Sequence, residues 1–366
     1  MSQLDPTSRQ SVKAPNFVIQ VFTHRLFWPV VGLILLWVAC GIALPGSDTA
    51  PGFWSITMMD GHLFGQIIDI LRAAAPILLL ALGMCLVIAT GGIDLSVGAV
   101  MALSSSVSLS YLISSPTRET LPTVLIAIGL GLLTGLVVGL FNGTMVARLK
   151  IQPFIATLII MVAGRGVAFA FTGGRIESVV SPPFKFLGSG FVLSLPTQVV
   201  IVTIVAAIVM ISVRMSALGV LVESIGVNRQ ASFLAGVPAS SILMLVYGLC
   251  GLLAGLAGMI YVAPTMATNA NAIGLMLELD AILCVVLGGT ALSGGKFYLS
   301  GTVVGALLVA TLPKAVIYFG FPMQITPLFK GLVILIICIA QSQTLRDQFA
   351  RRSLRRSVAL AEGSPS

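Results

Sequence analysis

Long apolar runs separated by short polar or glycine-rich connections occupy almost the whole chain. About 20 mostly apolar residues cross roughly 30 Å of hydrocarbon. Ten runs approach that length: 27–44, 70–90, 96–113, 122–147, 154–173, 197–215, 241–263, 276–293, 298–319 and 325–342. The pattern predicts an all-α, multi-pass membrane protein of about ten transmembrane helices. It divides the chain into a cytoplasmic N-terminal segment (1–26), a transmembrane domain (27–342) and a basic cytoplasmic tail (343–366). The polar lead of residues 1–26 predicts that the first run stays as a helix and is not cleaved. The run at 276–293 stands apart because Glu278 and Asp280 lie near its start.

Composition narrows the class. Of 366 residues, 57% are hydrophobic and 9% charged, whereas soluble domains carry about 25% charged residues. The lipid bilayer is therefore the expected surrounding. The net charge of +8 would suit nucleic acid, but its placement argues for a membrane. With the N-terminus inside, cytoplasmic segments hold Arg9, Lys13, Arg25, Arg148, Lys150, Arg214, Arg229 and Lys296, and the tail adds Arg346, Arg351, Arg352, Arg355 and Arg356. Outer segments hold only Arg118, Arg175 and Lys185. This bias satisfies the positive-inside rule and places both termini in the cytoplasm. The five cysteines lie within apolar runs without metal-ligand spacing, and His24 and His62 stand far apart. No metal, cofactor or nucleic-acid partner is expected.

Four stretches carry candidate chemistry. The first is GGIDLS, with Gly91, Gly92, Asp94 and Ser96. Paired glycines release the backbone from helical geometry, and an Asp just beyond them can cap the next helix. Broken backbone at membrane depth survives only against protein or a watery cavity, and discontinuous helices often border transport sites. A pathway or gating role and a plain structural cap both stand. The second is the loop at 217–240. Asn228 suits an N-cap, 229–235 suits two helical turns, Gly236 suits the C′ position and Pro238 blocks continuation. So short a helix needs a partner surface for Phe233 and Leu234, either lipid or a groove in another protein.

The third stretch is LELDAILCVVLGGTALSGGKF (277–297). Acids in a span are costly and often functional, although solvation at the outer surface would also explain Glu278 and Asp280. Its GGTALSGGK segment fails as a phosphate loop, since Thr290 replaces the required glycine and Phe297 the hydroxyl. The fourth contains Arg165 between two glycines within a span. It must face a partner or water, and Asn142 and Thr157 are candidates for the same polar interior. GGIDLSVGAV (91–100) also echoes GGTALSGGKF (288–297), which suggests two weakly repeated halves.

GGIDLSVGA, the loop with Gly226, Asn228, Ala231 and Gly236, and ELDAILCVVLGGTALSGGKF together resemble the permeases of ribose-type ATP-binding-cassette (ABC) sugar importers. The resemblance covers about 27–342. It implies a pathway for a simple sugar, galactofuranose or another monosaccharide, delivered by a periplasmic sugar-binding protein across the bacterial inner membrane. It also implies an ABC ATPase subunit that hydrolyses ATP in place of this chain, and a second permease, identical or different. Glu223, Gly226, Asn228, Ala231, Phe233, Leu234 and Gly236 would couple to the ATPase. Gly91, Gly92, Asp94, Ser96, Asn142, Thr157, Arg165 and Asp280 are the candidates for pathway or gating. The alternative is an ion-gradient-driven secondary transporter or channel.

Overall fold

A computed structural model describes residues 26–46 and 51–341. The basic tail and nearly all of the N-terminal segment lie outside the described residues. Each of the ten apolar runs falls on a helix: α1 (Phe27–Ala43), α2 (Gln66–Ala89), α3 (Val97–Ser114), α4 (Leu121–Ala147), α5 (Pro153–Phe171), α7 (Thr197–Met215), α10 (Ala239–Val262), α11 (Leu277–Leu287), α12 (Leu299–Tyr318) and α13 (Thr326–Gln341). Three shorter helices intervene: α6 (Pro182–Ser189), α8 (Leu218–Val227) and α9 (Arg229–Leu234). Seven of these helices are long and apolar enough to cross a membrane. Among the described residues the other three runs fall short, with 17 residues in α1, 11 in α11 and 16 in α13, the last of these reaching the final described residue. The shortfall of α11 has a local cause. Gly288 and Gly289 follow Leu287, and Gly289 takes a φ of +87° that ends the helix.

The helices sort by burial. α2 lies at the centre, packed on α7, α10, α11 and α12, and from Ala74 to Ala89 it is apolar on every side, as an enclosed helix requires. α3 and α10 are also mostly buried, while α4, α5 and α7 expose most of their apolar surface. α4 and α10 approach closely through facing glycines: a methyl on Gly139 would meet the carbonyl of Tyr247, and one on Gly251 would lie 2.8 Å from Gly139 Cα. Small residues are what allow helix backbones to come together in a lipid setting, where packing drives association.

The two ends of the bundle differ. One end carries three two-stranded antiparallel pairs that the sequence pattern did not suggest: β1 (Ile56–Met59) with β2 (His62–Gly65), β3 (Glu177–Ser178) with β6 (Ala267–Thr268), and β4 (Phe191–Val192) with β5 (Leu195–Pro196). The Leu63 amide donates to Ser194 O at 2.9 Å and joins two of these pairs. The opposite end gathers the C-termini of α2 and α4, the 288–298 loop, and α8 and α9. Arg148, Lys150, Arg229 and Lys296 belong to that end.

Candidate functional site

The site is the interruption between α2 and α3. Gly91 adopts a φ of +80°, which favours glycine over any side chain, and the chain stays non-helical until Val97. Asp94 sits just beyond and is 1% exposed. Its Oδ1 accepts the Ser96 amide at 2.9 Å and the Ser96 hydroxyl at 2.6 Å, closing an Asx turn that leads into α3. α3 itself starts without a side-chain cap, so the expected cap of the next helix by Asp94 is not formed, because both bonds go to Ser96 and none to the first amides of the helix. The Ser96 oxygen in turn accepts Asn142 Nδ2 from α4 at 2.7 Å. Cys250 of α10 is buried beside the same carboxylate.

Other elements fix the interruption from different sides. Thr157 of α5 donates to Ile93 O at 3.2 Å and to Pro153 O at 2.9 Å. Tyr247 of α10 is fully buried, and its hydroxyl lies so near Gly92 that a methyl there would be 2.5 Å away. Gly91, Gly92, Asp94, Ser96, Asn142 and Thr157 are therefore one cluster, although they span 67 positions of sequence. Open hydrogen-bonding capacity remains in it, since Asn142 Oδ1 and Tyr247 Oη are buried without partners. Among the described residues no group of His, Cys, Asp and Glu is placed to hold a metal ion.

The second glycine-rich interruption meets the first. The Gly295 amide donates to Ala89 O at 2.9 Å, and a methyl on Gly294 would lie 2.9 Å from Gly91 Cα. Gly226 of α8 presses on both, because a methyl on it would fall inside contact distance of Ala89 O and Gly295 N. The 217–240 loop thus sits directly against the two interruptions. Its short helix forms as expected but ends at Leu234. Asn228 Oδ1 accepts the Gln230 and Ala231 amides at 3.0 and 2.9 Å, and Gly236 takes a φ of +85°. Phe233 and Leu234 are 70% and 80% exposed, Ala231 is exposed, and Glu223 is half-buried one turn before Gly226.

Arg165 and Asp280 lie apart from this cluster. Arg165 Nη1 donates to Ala270 O at 3.3 Å and Ile273 O at 3.1 Å. These carbonyls belong to a non-helical stretch that reaches the start of α3, where Gly274 packs on Gly98. Such backbone needs partners at membrane depth, and Arg165 supplies them from the protein. Among the described residues it makes no ion pair with an acid within 4 Å, though Glu278 lies within reach of its field. Asp280 Oδ2 is bound to Lys330 Nζ of α13 at 2.7 Å. Glu278 and Asp280 are both buried, so solvation at an outer surface does not account for either. Tyr247, Cys250 and Lys330 were not legible as site residues. An aromatic or a thiol in an apolar helix looks like core, and Lys330 reveals its role only through an acid 50 positions away.

Helices of membrane-spanning length, two interruptions meeting at one end and an exposed capped helix beside them define a polytopic membrane protein with discontinuous helices. The chain belongs to the family described as branched-chain amino acid transport system / permease component, whose profile matches residues 66–338. It is 47% identical to the galactofuranose transporter permease protein YtfT of Escherichia coli (strain K12), over 87% of this chain and 92% of that one. It is 37% identical to the fructose import permease protein FruF of Bifidobacterium longum (strain NCC 2705), over 94% and 95% respectively. It is 35% identical to the ribose import permease protein RbsC of Escherichia coli (strain K12), over 88% and 96%.

Proposed function

We propose that this chain is the permease subunit of an ABC importer and forms, with a second permease, the pathway for a simple sugar. A periplasmic binding protein delivers the monosaccharide, galactofuranose or a related sugar, and an ABC ATPase on another polypeptide hydrolyses the ATP. The chain itself is not an enzyme and carries no nucleotide site. It resides in the bacterial inner membrane with both termini in the cytoplasm, its ten apolar helices forming two weakly repeated halves. The relatives' printed names support a sugar as cargo, and the basic loops gathered at the α8–α9 end support the orientation.

The observation that carries this reading is the seating of the 217–240 loop. α9 presents Phe233 and Leu234 outward, while the preceding α8 places Gly226 against both glycine interruptions. We assign α9 as the coupling helix: Phe233, Leu234 and Ala231 meet the ATPase, Asn228 and Gly236 fix the ends of the helix, and Glu223 and Gly226 lie on its mount. The Gly91–Ser96 interruption, with Asn142 and Thr157, is assigned to gating. Asp94 is buried and held in its turn by the Ser96 amide and hydroxyl, so it acts as a hinge pin and not as a wall of the pathway. Arg165 and Asp280 hold the non-helical stretch before α11 and the α11–α13 contact during gating.

Gentle detergent extraction of the tagged chain from its host, followed by identification of what co-purifies, tests the proposal. A stoichiometric ABC ATPase is expected. A chain that purifies alone and still transports the sugar after reconstitution would overturn it in favour of a self-sufficient transporter.

A further inference from the structure

Arg229 is poorly placed for its own helix. It is the first residue of α9, where a cation opposes the helix dipole. Its guanidinium instead turns to another helix, and Nη2 donates to Ala147 O at 3.2 Å. Ala147 is the last residue of α4 and is buried. Its carbonyl is one of the final four that a helix leaves without an intrahelical partner. The backbone amides that close this end of α4 go elsewhere, those of Arg148 and Leu149 to Thr144 O and that of Ile151 to Met145 O. One side chain thus satisfies a buried carbonyl and sets a positive charge at the negative end of α4.

The last turns of α4 lead directly to the α2–α3 interruption. Asn142 bonds Ser96, and Gly143 packs on Tyr247, a methyl there lying 3.2 Å from Tyr247 Cβ. Tyr247 then reaches Gly92 with its hydroxyl. The α8–α9 unit is therefore mounted at two points, Gly226 against Ala89 and Gly295, and Arg229 against the end of α4. The first mount touches the interruption where it leaves α2, and the second reaches it where it enters α3. A helix attached at one point can swivel without moving what it touches, whereas two attachments on either side of an interruption convert its displacement into a change of angle there.

We propose that Arg229 is a positioning residue that transmits movement of α9, through the C-terminus of α4, to the entry of α3. This rests on the proposed role of α9 as the helix that meets the ATPase. The test uses the complex of full-length chain and co-purified ATPase. Leu149 is exposed just past the C-terminus of α4, on the path from Arg229, and Leu149→Cys in a Cys338→Ser background gives a fluorophore site, the other four cysteines being buried. ATP addition is expected to shift the fluorescence of this complex. Arg229→Gln is expected to keep the bound ATPase and its hydrolysis rate but lose the shift, and Arg229→Lys to keep most of it. A full shift in Arg229→Gln, or equal loss in Arg229→Lys, would overturn the inference. Loss of the bound ATPase in Arg229→Gln would also overturn it, by making Arg229 a direct contact. A parent complex with no ATPase and no shift would instead overturn the role given to α9.

Discussion

Gly226→Ala adds one methyl at the point where α8 meets both interruptions. The methyl would fall inside contact distance of Ala89 O and Gly295 N and would lie 3.1 Å from the Ala89 carbonyl carbon. All three are backbone atoms, so no side chain can swing aside. Relief requires α8 to retreat or the Gly295–Ala89 hydrogen bond, 2.9 Å in length, to open. Loss of that bond costs about 1 kcal/mol, and overpacking adds about 1–3 kcal/mol. The better helix propensity of alanine returns about 1 kcal/mol, which leaves a net loss of roughly 1–3 kcal/mol from these terms. Gly129→Ala in α4 is the matched control, since nothing lies within 4 Å of that position and only the propensity gain applies. Thermal unfolding of both variants in detergent, followed by intrinsic fluorescence, measures the difference. ATP-driven uptake in the reconstituted complex then shows whether the shifted mount uncouples hydrolysis from transport. If Gly226→Ala matches Gly129→Ala in stability and transports at the parent rate, the close seating of α8 has no mechanical role.

Three further outcomes follow from individual contacts. Asp94→Asn keeps an oxygen for the Ser96 amide and is expected to lose well under 1 kcal/mol, whereas Asp94→Ala strands the buried Ser96 donors at a cost of about 1–3 kcal/mol; thermal unfolding separates the two. Lys330→Ala leaves Asp280 buried without its cation and is expected to cost about 3 kcal/mol. The double variant Asp280→Asn with Lys330→Gln is expected to recover most of that loss in the same assay. Phe233→Asp alters an exposed position and is expected to change stability by about 0.5 kcal/mol or less, while abolishing co-purification of the ATPase, as read by a pull-down.

Local signals carried the sequence reading well where the physics is local. Asn228, Gly236 and Pro238 bracketed a short helix because capping and chain reversal depend on neighbours a few positions away. Gly91, Gly92 and Asp94 marked the interruption for the same reason. The apolar runs located every long helix, but length alone could not show that α11 stops at Leu287. What stayed hidden depends on pairing across the bundle. Nothing near Ser96 indicates that Asn142 will bond it, and nothing near Asp280 indicates Lys330. Arg229 counted only as one cytoplasmic charge among many, because its partner is a backbone carbonyl 82 positions earlier. Backbone partners leave no trace in side-chain type, and the same holds for Arg165 with Ala270 and Ile273.

The most direct test of the account is uptake by proteoliposomes holding the purified complex, with the binding protein outside and ATP or no nucleotide inside. Labelled galactose is the probe, with ribose and fructose as competitors. Uptake that requires both ATP and the binding protein, and that disappears when the ATPase is stripped away, is the predicted result. Uptake by the stripped chain alone, driven by an imposed ion gradient and indifferent to ATP, would contradict it.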